Sequence, residues 1–167
     1  MNNSKCLIYI IILLFNFTLL KSNDTIPLKN FGNELWYVEL MGNSFVLSFN
    51  YEYSIIKKFL FTDETNIRIG IGSAFPFDYL NIPVMLNFIY GKKHCFEIGA
   101  GLLFDYVYKE KGKSEYTYPQ QTIKYISVIG YRYKNDGDII IRAGLTPFYS
   151  SDVGIRLWTG ISFGQYF

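Results

Sequence analysis

Only one of the 167 residues is a histidine, His94, and only two are cysteines, Cys6 and Cys95. A metal site or a catalytic triad would have to be built on this one imidazole, and a lone His beside a hairpin turn usually does nothing chemical. Cys6 lies in a leading segment expected to be removed, so Cys95 would stand alone and no disulfide framework can form. An excess of one charge is missing too: 16 Lys and Arg against 14 Asp and Glu leave a net charge of +2, too small to select a nucleic-acid partner. Beyond residue 33 no segment has a useful helical period. Aromatics, in contrast, are plentiful: 15 Tyr and 15 Phe in a chain that is half apolar. That exceeds the needs of an ordinary soluble core and suits the aromatic belts of a membrane–water interface.

The chain starts with Lys5 ahead of an apolar run over residues 6–20, broken only by Asn16 and Thr18, before Lys21, Ser22, Asn23 and Asp24 turn polar. A charged start and a short apolar stretch are the marks of a cleaved signal peptide, here residues 1–22. The run falls short of the ~20 apolar residues a spanning helix needs. Residues 23–33 read as a short periplasmic lead-in and residues 34–167 as one β-domain.

The end of the chain, residues 154–167, shows the pattern most sharply. Ile155, Leu157, Ile161 and Phe163 share one face of a strand; Gly154, Arg156, Trp158, Gly160, Ser162 and Gly164 share the other. Apolar outside with small and charged inside is the signature of a narrow transmembrane barrel. Comparable alternation predicts eight strands, at 34–41, 45–55, 67–74, 80–90, 94–106, 122–134, 138–146 and 154–167. Turns on one side are expected at 57–65, longer than the pattern wants, and, as tight hairpins, at 91–93 and 135–137, the last with Asn135, Asp136 and Gly137 supplying the positive φ. The connections on the opposite side would be 42–44, 75–79, 107–121 and 148–153.

The same alternation turns Leu47, Phe49, Ile69, Ile71, Leu86, Ile98, Leu102, Ile139, Ile141 and Leu145 outward. Inward it gathers Glu39, Glu52, Arg68, Glu97, Asp105, Arg132, Arg142 and Arg156, with Lys124, Asn50 and Asn87 and many glycines. Eight strands leave a lumen only just wide enough for side chains, so these charges must pair. They are read as a structural charge network; no catalytic, cofactor-binding or metal-ligating residue is expected.

Several segments carry a resemblance: Val38-Glu39-Leu40-Met41-Gly42-Asn43, Arg68-Ile69-Gly70-Ile71-Gly72, Phe96-Glu97-Ile98-Gly99-Ala100-Gly101-Leu102, Arg142-Ala143-Gly144-Leu145-Thr146-Pro147 and Gly160-Ile161-Ser162-Phe163-Gly164. In this order the chain resembles the small outer-membrane β-barrel proteins of Bacteroidetes, over nearly all of residues 34–167. Met41 departs from the family pattern, where Gly is usual, and so does Gln165, where an aromatic or apolar residue would help the terminal signal. The resemblance implies an all-β, eight-stranded antiparallel transmembrane barrel in the outer membrane of a Gram-negative bacterium, and brings no catalytic residue with it. The expected role is structural or surface-interacting. Expected partners are membrane lipid, the barrel assembly machinery through the final strand ending in Phe167, and an extracellular partner at residues 107–121, for a protein that is a monomer. Three alternatives make different demands. A lipid-modifying enzyme needs a Ser, a His and an acid near the outer leaflet, a narrow passive channel needs a less crowded lumen, and a secreted lipocalin-like barrel needs its apolar faces turned inward.

Overall fold

The structure, a computed structural model, describes residues 32–59, 61–74, 79–107, 120–151 and 154–167. The expected signal peptide, most of the lead-in and most of the connection at 107–121 lie outside the described residues.

Eight strands follow one another: β1 (Glu34–Gly42), β2 (Phe45–Phe59), β3 (Thr62–Ala74), β4 (Tyr79–Tyr90), β5 (His94–Val107), β6 (Gln120–Lys134), β7 (Ile139–Ser150) and β8 (Gly154–Tyr166). Each pairs antiparallel with the next, and β1 closes on β8 from Leu35↔Tyr166 to Leu40↔Ile161. Closure follows from the side chains. In β1 the buried Leu35, Tyr37 and Glu39 alternate with the exposed Trp36, Val38 and Leu40, and a sheet with one polar face that must be hidden curls around that face. The apolar faces point outward, against the lipocalin-like alternative.

Two boundaries differ from the sequence expectation. The segment 57–65 is not a long turn, because β2 and β3 continue through it, with Lys57 facing Glu64 and Phe59 facing Thr62. The cause is a β-bulge between Ser54 and Ile56. One extra residue reverses the alternation beyond it, so a paired ladder reads as patternless. Strand β7 likewise runs on to Ser150 through Pro147, absorbing much of the expected loop at 148–153. Proline cannot donate to a ladder. The β6–β7 register correspondingly skips the pairs between Ile126↔Phe148 and Ile129↔Leu145, while Pro147 stays aligned with Leu157 on its other side.

The β6–β7 turn is tight as expected, but Gly137 is not its left-handed residue; Asp138 is, at φ 65°. Asp138 N donates to Asn135 O at 3.1 Å and Asn135 N to Ile139 O at 2.8 Å, a turn closed by one left-handed residue, a conformation Asp tolerates better than most.

The seam between β1 and β8 is packed to its limit at Gly164, where a Cβ would lie 2.3 Å from Trp36 O and 2.4 Å from Tyr37 Cβ. Gly164→Val is therefore expected to lower stability by about 1–3 kcal/mol, as overpacking does, and to reduce the fraction that closes during refolding. Urea titration of the refolded barrel, read by mobility on unheated gels, checks both.

Apolar clusters sit above and below a charged centre. Leu35, Tyr37, Ile140 and Tyr166 pack toward the end holding the C-terminus, and Met85, Leu103, Ile126 and Val128 with Phe148 toward the other.

Candidate functional site

The centre of the barrel is a chain of alternating charges. Arg68 Nη2 donates to Glu39 Oε2 at 2.6 Å, and Glu39 Oε1 lies 3.7 Å from Arg142 Nη1. Arg142 grips Glu97 through one edge of its guanidinium, Nε to Oε2 at 2.9 Å and Nη2 to Oε1 at 2.6 Å. Arg132 donates to the same Glu97 Oε2 from Nε at 3.1 Å and Nη2 at 3.0 Å. It also reaches Glu52 with Nη1 at 2.7 Å and Nη2 at 3.0 Å. The order Arg68, Glu39, Arg142, Glu97, Arg132, Glu52 is neutral overall; Arg142 on Glu97 and Arg132 on Glu52 each match a carboxylate at two points, while Arg68 meets Glu39 at one.

Neutral groups complete the valences. Asn66 and Asn87 donate to the two oxygens of Glu52 at 2.6 and 3.1 Å. Asn50 Oδ1 accepts from Arg68 at 2.8 and 3.0 Å. Ser162 Oγ accepts from Arg142 at 3.2 Å. Every one of the eight strands thus supplies a member. The Tyr37 ring lies between two guanidiniums, 5.1 Å from that of Arg68 and 4.6 Å from that of Arg142, a cation–π arrangement strengthened by exclusion of water.

Local sequence makes the room. Arg132 and Arg142 are directly opposite in the β6–β7 register, an unfavourable pairing of like charges that Glu97 neutralises from β5. Glu97 faces Gly130, which in turn faces Gly144. A Cβ on Gly130 would come 2.9 Å from Ala143 O, so the floor beneath the carboxylate holds no side chain.

Of the residues singled out from sequence, six join this centre and two do not. Asp105 is buried nearer the opposite mouth, where it pairs with Lys124. Arg156 departs from the expectation: it is exposed, among the described residues no ion pair reaches it, and it lies on β8 beyond Ile161, where the pairing with β1 ends. The structure adds a pair that the sequence reading missed, Lys134 Nζ with Glu64 Oε1 at 2.6 Å, with Lys134 also over the Tyr166 ring at 5.3 Å. The signal was available. Counting by two from Arg132 gives Lys134, and from Arg68 gives Asn66 and Glu64.

His94 faces outward at the rim against Tyr131 and Tyr133, away from the lumen charges. Cys95 is buried with Sγ on Lys92 O at 3.4 Å. Among the described residues no group of His, Cys, Asp and Glu is placed to hold a metal. A cavity beside Glu39, Glu97 and Arg142 measures about 10 Å³, the space of a single water. The arrangement is a packed polar core.

A closed, eight-stranded antiparallel barrel with this arrangement has the architecture of an outer-membrane barrel domain. Among solved structures, the crystal structure of the N-terminal β-barrel domain of Pseudomonas aeruginosa OprF is similar, with a TM-score of 0.57 at 14% identity over 83% of this chain and 100% of that one. The likeness is one of fold. No family model matches the chain, and no curated protein matches it.

Proposed function

We propose that the chain is an integral outer-membrane barrel without catalytic chemistry, exported through removal of residues 1–22, whose lumen is a structural charge core and whose external connections carry any interaction. The observation that supports this best is the inverted distribution of residues. Arg68, Arg132 and Glu52 are 0% exposed, while Leu47, Phe49, Ile71, Ile129 and Phe163 are 47–53% exposed around the outside. In water such a surface is a large contiguous apolar patch of the kind soluble monomers avoid; in hydrocarbon it is the expected wall. Trp36 packed on Tyr51 at 4.7 Å and the cluster of His94, Tyr131 and Tyr133 supply one interfacial girdle. The resemblance to Bacteroidetes barrel proteins supports the same reading and narrows it to that group. The filled lumen argues against a passive channel, and the outward His94 against a lipid-modifying triad.

Separation of outer from inner membranes tests the location: the protein is expected in the outer-membrane fraction, migrating faster on gels when unheated. Recovery in the soluble periplasm would overturn the reading. The connection at 107–121, with Lys109, Lys111 and Lys113, is proposed to lie outside the cell and to meet any partner there. Trypsin added to intact cells is expected to cut within 109–113 and leave the barrel whole, since strand backbone in a closed ladder resists proteolysis. Cleavage seen only after permeabilisation would invert the topology.

A further inference from the structure

The turn between β1 and β2 does not project from the barrel; it folds into the mouth. Asn43 and Ser44 are 5% and 1% exposed, although a polar two-residue turn ordinarily stands in solvent. The backbone enters it through Met41 at φ 52°, a left-handed conformation that a long side chain adopts only when its surroundings hold it there. Three contacts seat it. Asn43 N donates to Glu39 Oε2 at 3.2 Å, Asn43 Nδ2 approaches Met85 Sδ at 3.1 Å, and Asn81 Nδ2 donates to Ser44 O at 3.4 Å. Space for it comes from missing side chains on the facing strands. A Cβ on Gly72 would lie 2.3 Å from Ser44 Cβ, and one on Gly160 would lie 2.8 Å from both Gly42 Cα and Met41 O.

The seating is incomplete. Asn43 Oδ1, Ser44 Oγ and Asn81 Oδ1 are buried without a hydrogen-bond partner in the protein. Each such acceptor weakens the closed position relative to one in which water reaches it. The turn is also tied to the centre through one atom, since Glu39 Oε2 accepts from both Asn43 and Arg68.

We propose that residues 42–44 form a latch that seals this mouth and opens locally, admitting water as far as Glu39 while the Arg142, Glu97, Arg132 and Glu52 layer beneath stays closed. The identity of this mouth as the extracellular one rests on the proposed topology; the latch itself does not.

The test uses full-length protein with Cys6→Ser and Cys95→Ala, refolded into detergent, and a charged maleimide. Ser44→Cys is expected to react at least about ten-fold more slowly than Gln121→Cys on the exposed wall, as a site reached only through local opening does. Adding Gly160→Val, which drives a side chain into the seated turn, is expected to remove that protection in a barrel that still migrates as folded. Equal reaction of the two single cysteines in the parent would show that the turn is not seated. Persistent protection in a folded Gly160→Val barrel would show that it is not displaced. Should Gly160→Val fail to fold, hydrogen exchange of the unsubstituted barrel decides: the Asn43 and Ser44 amides are expected to exchange through openings that leave the Glu97 and Arg132 amides protected. Exchange of all four in one cooperative event would overturn the latch. Labelling Ser44→Cys, Gly160→Val on intact cells addresses the topology separately.

Discussion

Glu97→Gln is expected to be the most damaging single-atom change in the barrel, lowering its stability by about 3–5 kcal/mol in a urea titration of the refolded protein, the range for breaking a buried ion pair from one side. The carboxylate accepts four donated hydrogens, two from Arg132 and two from Arg142. Arg132 retains Glu52, but the carboxylate left to Arg142 is Glu39 at 3.7 Å, beside neutral contacts to Ser162 and Tyr37, and the two guanidiniums still sit opposite one another in the ladder. A neutral amide satisfies some donors without offsetting the charge. The companion measurement is Glu97→Gln with Arg142→Gln, which restores neutrality and is expected to recover part of the loss, a coupling that a double-mutant cycle isolates. No recovery would mean that the damage comes from lost packing rather than uncompensated charge.

What alternation in the sequence conveys is the face of each residue, and that was enough for the architecture. Glu39, Glu52, Glu97, Arg68, Arg132 and Arg142 turn inward as their positions require, and eight strands close as an even count allows. Alternation breaks where a ladder carries an extra residue. Ile55 is that residue in β2, and the reversed faces beyond it hide the paired run from Lys57 to Phe59, whereas on β3 the count by two from Arg68 still reaches Glu64. Facing also says nothing of height or partner. Glu52 lies opposite Arg68 in the β2–β3 register yet bonds Arg132 across the lumen, because strand tilt and side-chain length, not ladder neighbours, decide which groups meet in a narrow barrel. Arg156 illustrates the same limit: its face is inward by alternation, but its height on β8 puts it past the last β1 partner, Leu40↔Ile161. The buried turn at Asn43 and Ser44 was least legible of all, since a short polar segment between strands reads as an exposed connection, and only the glycines at 72 and 160 hint that something folds against them.

Ile129→Arg separates a wall in lipid from a wall in water. Ile129 lies near the middle of β6, is 47% exposed, and faces outward between Ile98 and Leu145. In an aqueous barrel a half-exposed isoleucine can be exchanged for arginine at little expense, since surface changes of this kind usually stay within about 0.5 kcal/mol. In a bilayer the same guanidinium would sit near the midplane, where a transmembrane strand loses about 2–4 kcal/mol. Near the rim the penalty shrinks, because a long side chain can carry its charge to the headgroups. At Ile139, the first residue of β7, the arginine variant is therefore expected to fall at the mild end of that depth scale, about 0–1 kcal/mol. The measurement is urea unfolding of the parent, Ile129→Arg and Ile139→Arg in vesicles of saturated phospholipid, with the same three proteins in detergent as the comparison. A steep difference between the two positions in vesicles places the apolar wall in hydrocarbon. Equal and small losses at both would mean that the outer face of β6 and β7 never meets the bilayer core, and the membrane-spanning reading would then fail whatever the charges inside the barrel do.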